Sequence, residues 1–405
     1  MTLNILQILL KNSMPQHDIP FLKDKKIVLA CHYSNTGFFH HLDEFLNAHK
    51  TRKVLFITHP LHPKRDKLNS VFKLSENGKE YLVKAFAYRN IPNIFHFVKD
   101  IFLNILWIVK TNETWDLFIA ADCLNTISAL VLRKIGKVKK VVYYSVDFVP
   151  KRFENPLLDK IYHKLDKFSV IHANEIWVLS PRMIEGRRKF LRISKKYDKK
   201  QYLFPEGVWI NRILRKPFSE INKNSAVFVG HVIQRMGIHL VIDAIPHIKK
   251  TIPDFQFVII GKGEYLNELK KRVKELDLEK NVIFKGFMKD HKEVENLIAS
   301  CSIGVATYTK DESGLTFYAD PAKVKIYMGA GLPVVMTDTF YYAKDIEKEK
   351  AGEVVKEDFK DIGKAIISLL ESEEKLKDYR ENALRYARNF DYPILFLKNL
   401  KRVLI

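Results

Sequence analysis

LTFYADPAKVKIYMGAGLPVVMT, residues 315–337, contains a helix start, a helix end and a return to a strand. Asp320-Pro321 predicts the start, with Asp320 as N-cap accepting backbone N–H bonds and Pro321 at the first helical position. Lys323 then projects from the first turn. Free N–H groups and the positive end of the dipole already favour an anion there, so an added cation costs stability unless an anion answers it. Lys323 is therefore a phosphate-binding candidate, and Asp320 is either a cap or a ligand. Gly331 closes the helix, and Leu332-Pro333-Val334-Val335 returns to a sheet.

The same alternation extends in both directions. Short β-rich runs and longer amphipathic segments succeed one another from residue 26, the pattern of βα units around a parallel sheet. The first half predicts strands at Lys26–Cys31, Lys53–Thr58, Val83–Ala87, Leu117–Ala121, Lys140–Tyr144, Glu175–Ser180 and Gln201–Pro205, the first six each followed by a helix. The second half restarts with Ala226–Val229, Phe255–Ile260, Val282–Lys285, Ile303–Ala306 and Pro333–Met336, and ends in a helical tail. A charged, polar stretch near 193–224 separates them. The predicted class is α/β, with two doubly wound, Rossmann-like domains facing a cleft. The division is 1–205, 206–385, and a tail over 386–405 that packs back on the first domain. Two cores suit 405 residues, at roughly 100–200 residues per domain. With 47% apolar and 28% charged residues the chain is globular, which excludes a disordered or collagenous protein.

Charge is uneven along the chain. Residues 1–208 hold 35 basic and 19 acidic side chains, a net +16, whereas 209–405 hold 33 and 28, a net +5. An anionic partner is expected to meet the first half. Cys31, Cys123 and Cys301 form no CxxC pair, and Met1–Leu10 has neither a basic leader nor a small-residue cleavage site, so a reducing cytoplasmic location is expected. IPNIFHFVKDIFLNILWIVK, residues 91–110, is too interrupted by Lys99, Asp100 and Asn104 to span a membrane. It reads either as a helix packed inside the domain or as one lying in a bilayer interface. Lys64, Arg65, Lys67, Lys73 and Lys79 precede it and suit an anionic membrane, with no nucleic-acid-reading module in sight.

The 315–337 segment, as ADPxKxxxYMxAGLPVV, resembles the donor-binding segment of GT-B glycosyltransferases, particularly glycosyltransferase family 4. Val258-Ile-Ile-Gly-Lys-Gly-Glu264, Leu276 to Phe287, Phe204-Pro-Glu-Gly-Val208 and Val229-Gly230 to Ala244 are similar to further motifs of that family. The resemblance implies transfer of a sugar from a nucleotide-sugar to an acceptor hydroxyl, with a glycan or lipid-linked acceptor. The nucleotide-sugar serves as substrate, and no separate cofactor or metal is implied. Where the family carries a Glu-x7-Glu pair this chain has Tyr318 and Ile326, so ribose recognition must differ. The family's diphosphate-gripping Arg and Lys fall near His231 and Met236, which leaves His231, Arg235 and Lys323 as the available cations. A Lys at 323 without the acidic pair is also similar to the inverting xanthan glucuronosyltransferase family.

By the same resemblance, Gly230 lies on the donor side, and Tyr308, Phe287 and Met288 line the base pocket. Val141 to Pro150 matches a strand end that faces the donor, with Asp147 in place of the family's Asp. A carboxylate there can deprotonate an acceptor hydroxyl, or it can cap the loop or pair with Lys151 or Arg152. The loop His32 to Phe38 takes the position of an acceptor and phosphate loop, where Gly37 allows close backbone approach. Asp159 and Asp166 read as part of a charge run on a solvent-facing helix, a solvated or membrane-facing surface. Two rivals share these features: a nucleotide-sugar epimerase on the same fold, and a non-catalytic membrane- or polyanion-binding relative.

Overall fold

The computed structural model describes residues 19–32, 37–61, 68–88, 90–311 and 314–405. Lys64, Arg65, Lys67, Tyr33–Thr36 and the first eighteen residues lie outside them. The chain divides into two compact units, one up to Pro205 that also takes Pro393–Ile405, the other Glu206–Tyr392.

The first unit is built on β1 (Lys26–Cys31), β2 (Lys53–Thr58), β3 (Ser70–Glu76), β4 (Lys79–Phe86), β5 (Trp115–Ala121), β6 (Val138–Ser145), β7 (Glu175–Val178) and β8 (Gln201–Leu203). Their order is β4-β3-β2-β1-β5-β6-β7-β8. Helices α1 (Phe38–Ala48), α2 (Asn93–Lys110), α3 (Asp122–Lys134), α4 (Pro156–His172) and α5 (Pro181–Leu191) accompany it. Pairing is parallel from β2 through β8. The expected βα unit after β2 is replaced by an antiparallel hairpin, β3–β4. Asn77 and Gly78, with φ of 50° and 80°, form its two-residue turn, the geometry that Asn-Gly favours.

Helix α2 turns its polar row inward. His96, Asp100 and Asn104 are buried, whereas Ile94, Phe95, Val98, Phe102 and Leu106 are exposed. Its polar row faces the sheet because polar partners wait there. Asp100 meets the His59 ring at 3.2 Å and Lys99 Nζ at 2.8 Å. Asn104 accepts from or donates to His59, Asn125 and Ser128 at 3.1, 2.8 and 3.1 Å. Asp166 likewise turns inward from its predicted solvent-facing position. Arg187 binds it through two nitrogens at 2.9 Å and reaches Ser145 Oγ at 2.5 Å, while Tyr143 donates to Asp166 at 2.5 Å. The last helix, α14 (Tyr392–Leu404), brings Phe396 against Phe45 at 5.2 Å and Phe38 at 5.6 Å, and Arg402 bonds Glu175 at 2.9 Å.

The second unit holds β9 (Ser225–Val229), β10 (Gln256–Ile260), β11 (Val282–Gly286), β12 (Ile303–Ala306), β13 (Val334–Thr337) and β14 (Gly352–Val355), the last a strand not expected from the sequence. All pairs are parallel, in the order β11-β10-β9-β12-β13-β14. Helices α6 (Ile238–Ile248), α7 (Leu266–Glu275), α8 (His291–Ala299), α9 (Leu315–Tyr318), α10 (Ala322–Gly329), α11 (Ala343–Lys348), α12 (Phe359–Leu370) and α13 (Glu373–Ala387) surround it.

Arg187→Met leaves the Asp166 carboxylate buried without its cation and should cost about 3–5 kcal/mol, read from chemical denaturation. Adding Asp166→Leu should recover most of that loss, because a matched apolar pair carries no orphaned charge.

Candidate functional site

In the second sheet, the order of strands turns at β9 and β12, so the crevice expected of an open α/β sheet lies at their carboxyl ends. The two strands pair only at Ile303–Ala226 and Gly304–Val227. Beyond that they part, and the Val229 N–H donates instead to the Tyr327 hydroxyl at 2.8 Å. Gly230 follows with φ of 140°. A Cβ there would stand 2.8 Å from Lys323 Nζ, and one on Gly261, also at positive φ, would stand 1.8 Å from the Gly230 carbonyl oxygen. Glycine at these positions lets the loops approach each other and the lysine.

Lys323 is half-buried in the first turn of α10, its ammonium 4.2 Å from the Phe228 ring centre and 5.2 Å from that of Tyr308. No carboxylate pairs with it among the described residues, and burial pushes it down to about 7. No side chain caps α10, so its first-turn amides carry only the helix's own dipole. A cation beside uncapped amides and a glycine is an arrangement whose chemistry suits an anion.

Asp320 does not cap the helix. The N-cap is Pro321, and Asp320 turns into the core, where it pairs with the buried Lys325 and accepts the Glu206 N–H at 2.8 Å. Glu206 in turn accepts from the Tyr392 hydroxyl at 2.7 Å. These bonds anchor the chain just before Lys323. His231 and Arg235 are exposed just after Gly230, and the Arg235 carbonyl accepts the Thr309 N–H at 3.0 Å. Tyr308 is buried; burial raises its hydroxyl, and the Arg235 charge opposes that shift. Phe287 and Met288 follow β11 at the same edge of the sheet. Phe287 is exposed under the Lys262 ammonium, and Met288 packs on the core. Tyr318 is buried and Ile326 half-buried where the family pattern has acids. Gly230, Tyr308 and Lys323 are thus brought together. Tyr327, the Tyr of the ADPxKxxxYM motif, and Phe228, which no motif contains, complete the group.

In the first unit, Asp147 is half-buried and its Oδ1 accepts from Arg152 at 2.6 Å. This is the pairing alternative raised by the sequence. Gly37 has an extended φ of 168°, open to any residue, and nothing lies within 4 Å of a Cβ built there. A richer cluster was not expected at the carboxyl end of β1. His32 Nδ1 lies 2.6 Å from Asp122 and its Nε2 3.4 Å from Asp100. Burial disfavours the charged ring, but the two carboxylates outweigh it and push His32 up to about 10. Asp122 adopts φ of 65° at the start of α3. The signal for this cluster was thin, since only the fold brings residues 32, 100 and 122 together.

Lys323 carries a testable cost. The unfolded chain keeps the lysine near its ordinary 10.5, so it binds the extra proton between pH 7 and that value, and wild-type stability should rise over that window. Lys323→Met is expected to be about 1–2 kcal/mol more stable at neutral pH, with the gap closing as pH rises, in thermal melts without ligand. A destabilised variant at pH 7 would count against an unanswered charge.

Residues 211–386 match the model of the family "Glycosyl transferases group 1". Poly(glycerol-phosphate) alpha-glucosyltransferase of Bacillus subtilis is 26% identical over 173 residues, 42% of this chain and 24% of that protein. Mannosylfructose-phosphate synthase of Agrobacterium fabrum is 22% identical over 322 residues, 72% of this chain and 69% of the other. The chain thus matches only about a quarter of the length of the first of these relatives. The solved structure of Anabaena HepE in complex with UDP superposes with a TM-score of 0.68 at 16% identity, covering 93% of this chain and 99% of that one. The chain thus carries the GT-B fold, and its residues 211–386 are similar to the group 1 glycosyl transferases.

Proposed function

We propose that the protein transfers a sugar from a nucleotide-sugar, held by the second unit, to an acceptor hydroxyl. The observation that supports this most is Lys323: a half-buried ammonium, paired with no carboxylate among the described residues, beside Gly230 and the first turn of α10, within a segment that matches a glycosyltransferase family model. The acceptor oxygen attacks the anomeric carbon. The bond from that carbon to the diphosphate breaks, and its electron pair leaves with the phosphate. Lys323, Arg235 and the first-turn amides offset that charge without a metal, as preorganised positive groups that need not reorganise during the step.

The hydroxyl proton goes to Asp147 if attack comes from the face opposite the leaving group. Arg152 holds Oδ1, so Oδ2 is the receiving oxygen. Tyr308, Phe287 and Met288 border the base, and His231 stands beside the phosphates. Gly37 belongs to the acceptor side. The acceptor is a lipid-linked or cell-surface glycan, and the protein works at the inner face of the membrane, where the net +16 of residues 1–208 meets anionic headgroups. No helix among the described residues is long and apolar enough to cross a membrane.

UDP, the ligand of the HepE structure, is the probe for the donor site. The ammonium form of Lys323 is the one that binds a diphosphate. Affinity should therefore be full below pH 7 and fall above it, by at most about tenfold per pH unit, until the higher pKa of the complex is reached. Calorimetric titration of Lys323→Met should show weaker binding and no such decline; an unchanged slope would remove Lys323 from the site. Asp147→Asn should leave UDP affinity intact while lowering kcat by about 10²–10⁴-fold. Wild-type turnover in that variant would end the base assignment, and UDP binding without transfer to any acceptor would leave only a binding protein.

A further inference from the structure

Helix α2 exposes the side that a soluble helix hides. Ile94, Val98, Phe102 and Leu106 stand on successive turns, with Ile94 53% and Phe102 67% exposed. The helix cannot rotate to bury them, because its other side is fixed by Asp100 and Asn104 in their bonds to His59, Asn125 and Ser128. Helix α3 packs beside α2, and α4 beside α3. They continue the feature: Val131 is exposed on α3, and Leu157 and Ile161 on α4, with Leu157 at 65%. A run of large apolar side chains across three neighbouring helices exceeds the scattered exposure that is ordinary for a soluble surface.

The charges of these helices identify the occupant. They contain four carboxylates, and each is engaged within the unit. Asp100 meets Lys99 and two histidines. Asp122 meets His32, and Asp166 meets Arg187. Asp159 accepts the Arg152 N–H at 2.6 Å and lies 3.5 Å from His163. Exposed on the same helices are Lys110, Lys134, Lys160 and Lys164. Apolar side chains set among lysines, with the acids withdrawn, suit the headgroup and upper acyl region of an anionic bilayer. A second copy of the face would bring like charges together.

We propose that the joint outer face of α2, α3 and α4 docks on an anionic phospholipid bilayer, inserting its apolar side chains and placing its lysines at lipid phosphates. This rests on the reading above that the first unit works at an anionic surface, and assigns that surface to particular helices.

Sedimentation of the full chain with vesicles tests it. Binding to phosphatidylcholine vesicles containing phosphatidylglycerol should exceed binding to phosphatidylcholine alone and weaken as salt is raised. Phe102→Glu with Ile161→Glu should lower binding to the mixed vesicles by about tenfold or more, with UDP affinity unchanged. Lys160→Glu with Lys164→Glu should erase most of the preference for the anionic lipid. The docking is overturned if the first pair of changes leaves vesicle binding intact, or if the wild type is a dimer in solution that Phe102→Glu dissociates. Vesicle binding that survives a failure to bind UDP upholds the docking and sinks only the donor assignment; the converse result sinks the docking alone.

Discussion

The first unit depends on where its carboxylates go. Asp100 lies between the His32 and His59 rings, and Asp166 lies inside the grip of Arg187, so two helices turn buried charge inward beside their buried apolar side chains. A buried charge that loses its partner costs far more than an apolar side chain left in water. Rotating α2 by half a turn would bury Phe102 at the expense of Leu103, Trp107 and Ile108, and it would strand Asp100, His59 and Asn104 together. The polar interior wins that competition, and the exposed stripe is its consequence.

The second unit is arranged around a charge left without an answer. Where β9 and β12 separate, Tyr327 supplies the acceptor that the missing strand pair would have given Val229, and the same helix carries Lys323 over Gly230. Asp320 and Lys325, on either side of Lys323 in sequence, pair with each other in the core. Two lysines on one short helix thus differ: Lys325 pairs with Asp320, whereas Lys323 meets the Phe228 and Tyr308 rings and no carboxylate among the described residues. A cost of that kind is retained where a ligand repays it.

The βα alternation was legible because strand and helix periods differ, and Ile303–Ala306 or Lys26–Cys31 could be read from apolar β-branched runs alone. The hairpin at 70–86 is not legible from Val83–Ala87 alone, which reads as one more parallel strand, although Asn77-Gly78 marks its turn. Asp320 was misplaced for a different reason. Asp-Pro is a strong local signal for a cap, but the competing partner, Lys325, offers its Nζ to the carboxylate in the core, and tertiary pairing overrides the local preference. Lys323 was visible because its oddity is local: a cation at the wrong end of a dipole. The His32 cluster was not, because its members are far apart in sequence and each is unremarkable alone.

The uneven charge of the chain also takes on a sharper meaning. A net +16 spread over residues 1–208 would describe a soluble, merely basic surface if acids and bases alternated across it. They do not on α2, α3 and α4. Those helices spend their four carboxylates on interior histidines, lysine, arginine and backbone, and the lysines left outward have no like number of acids to screen them. The same bonds that orient α2 therefore also sort the charge, so apolar exposure and positive potential arise on these helices from one cause.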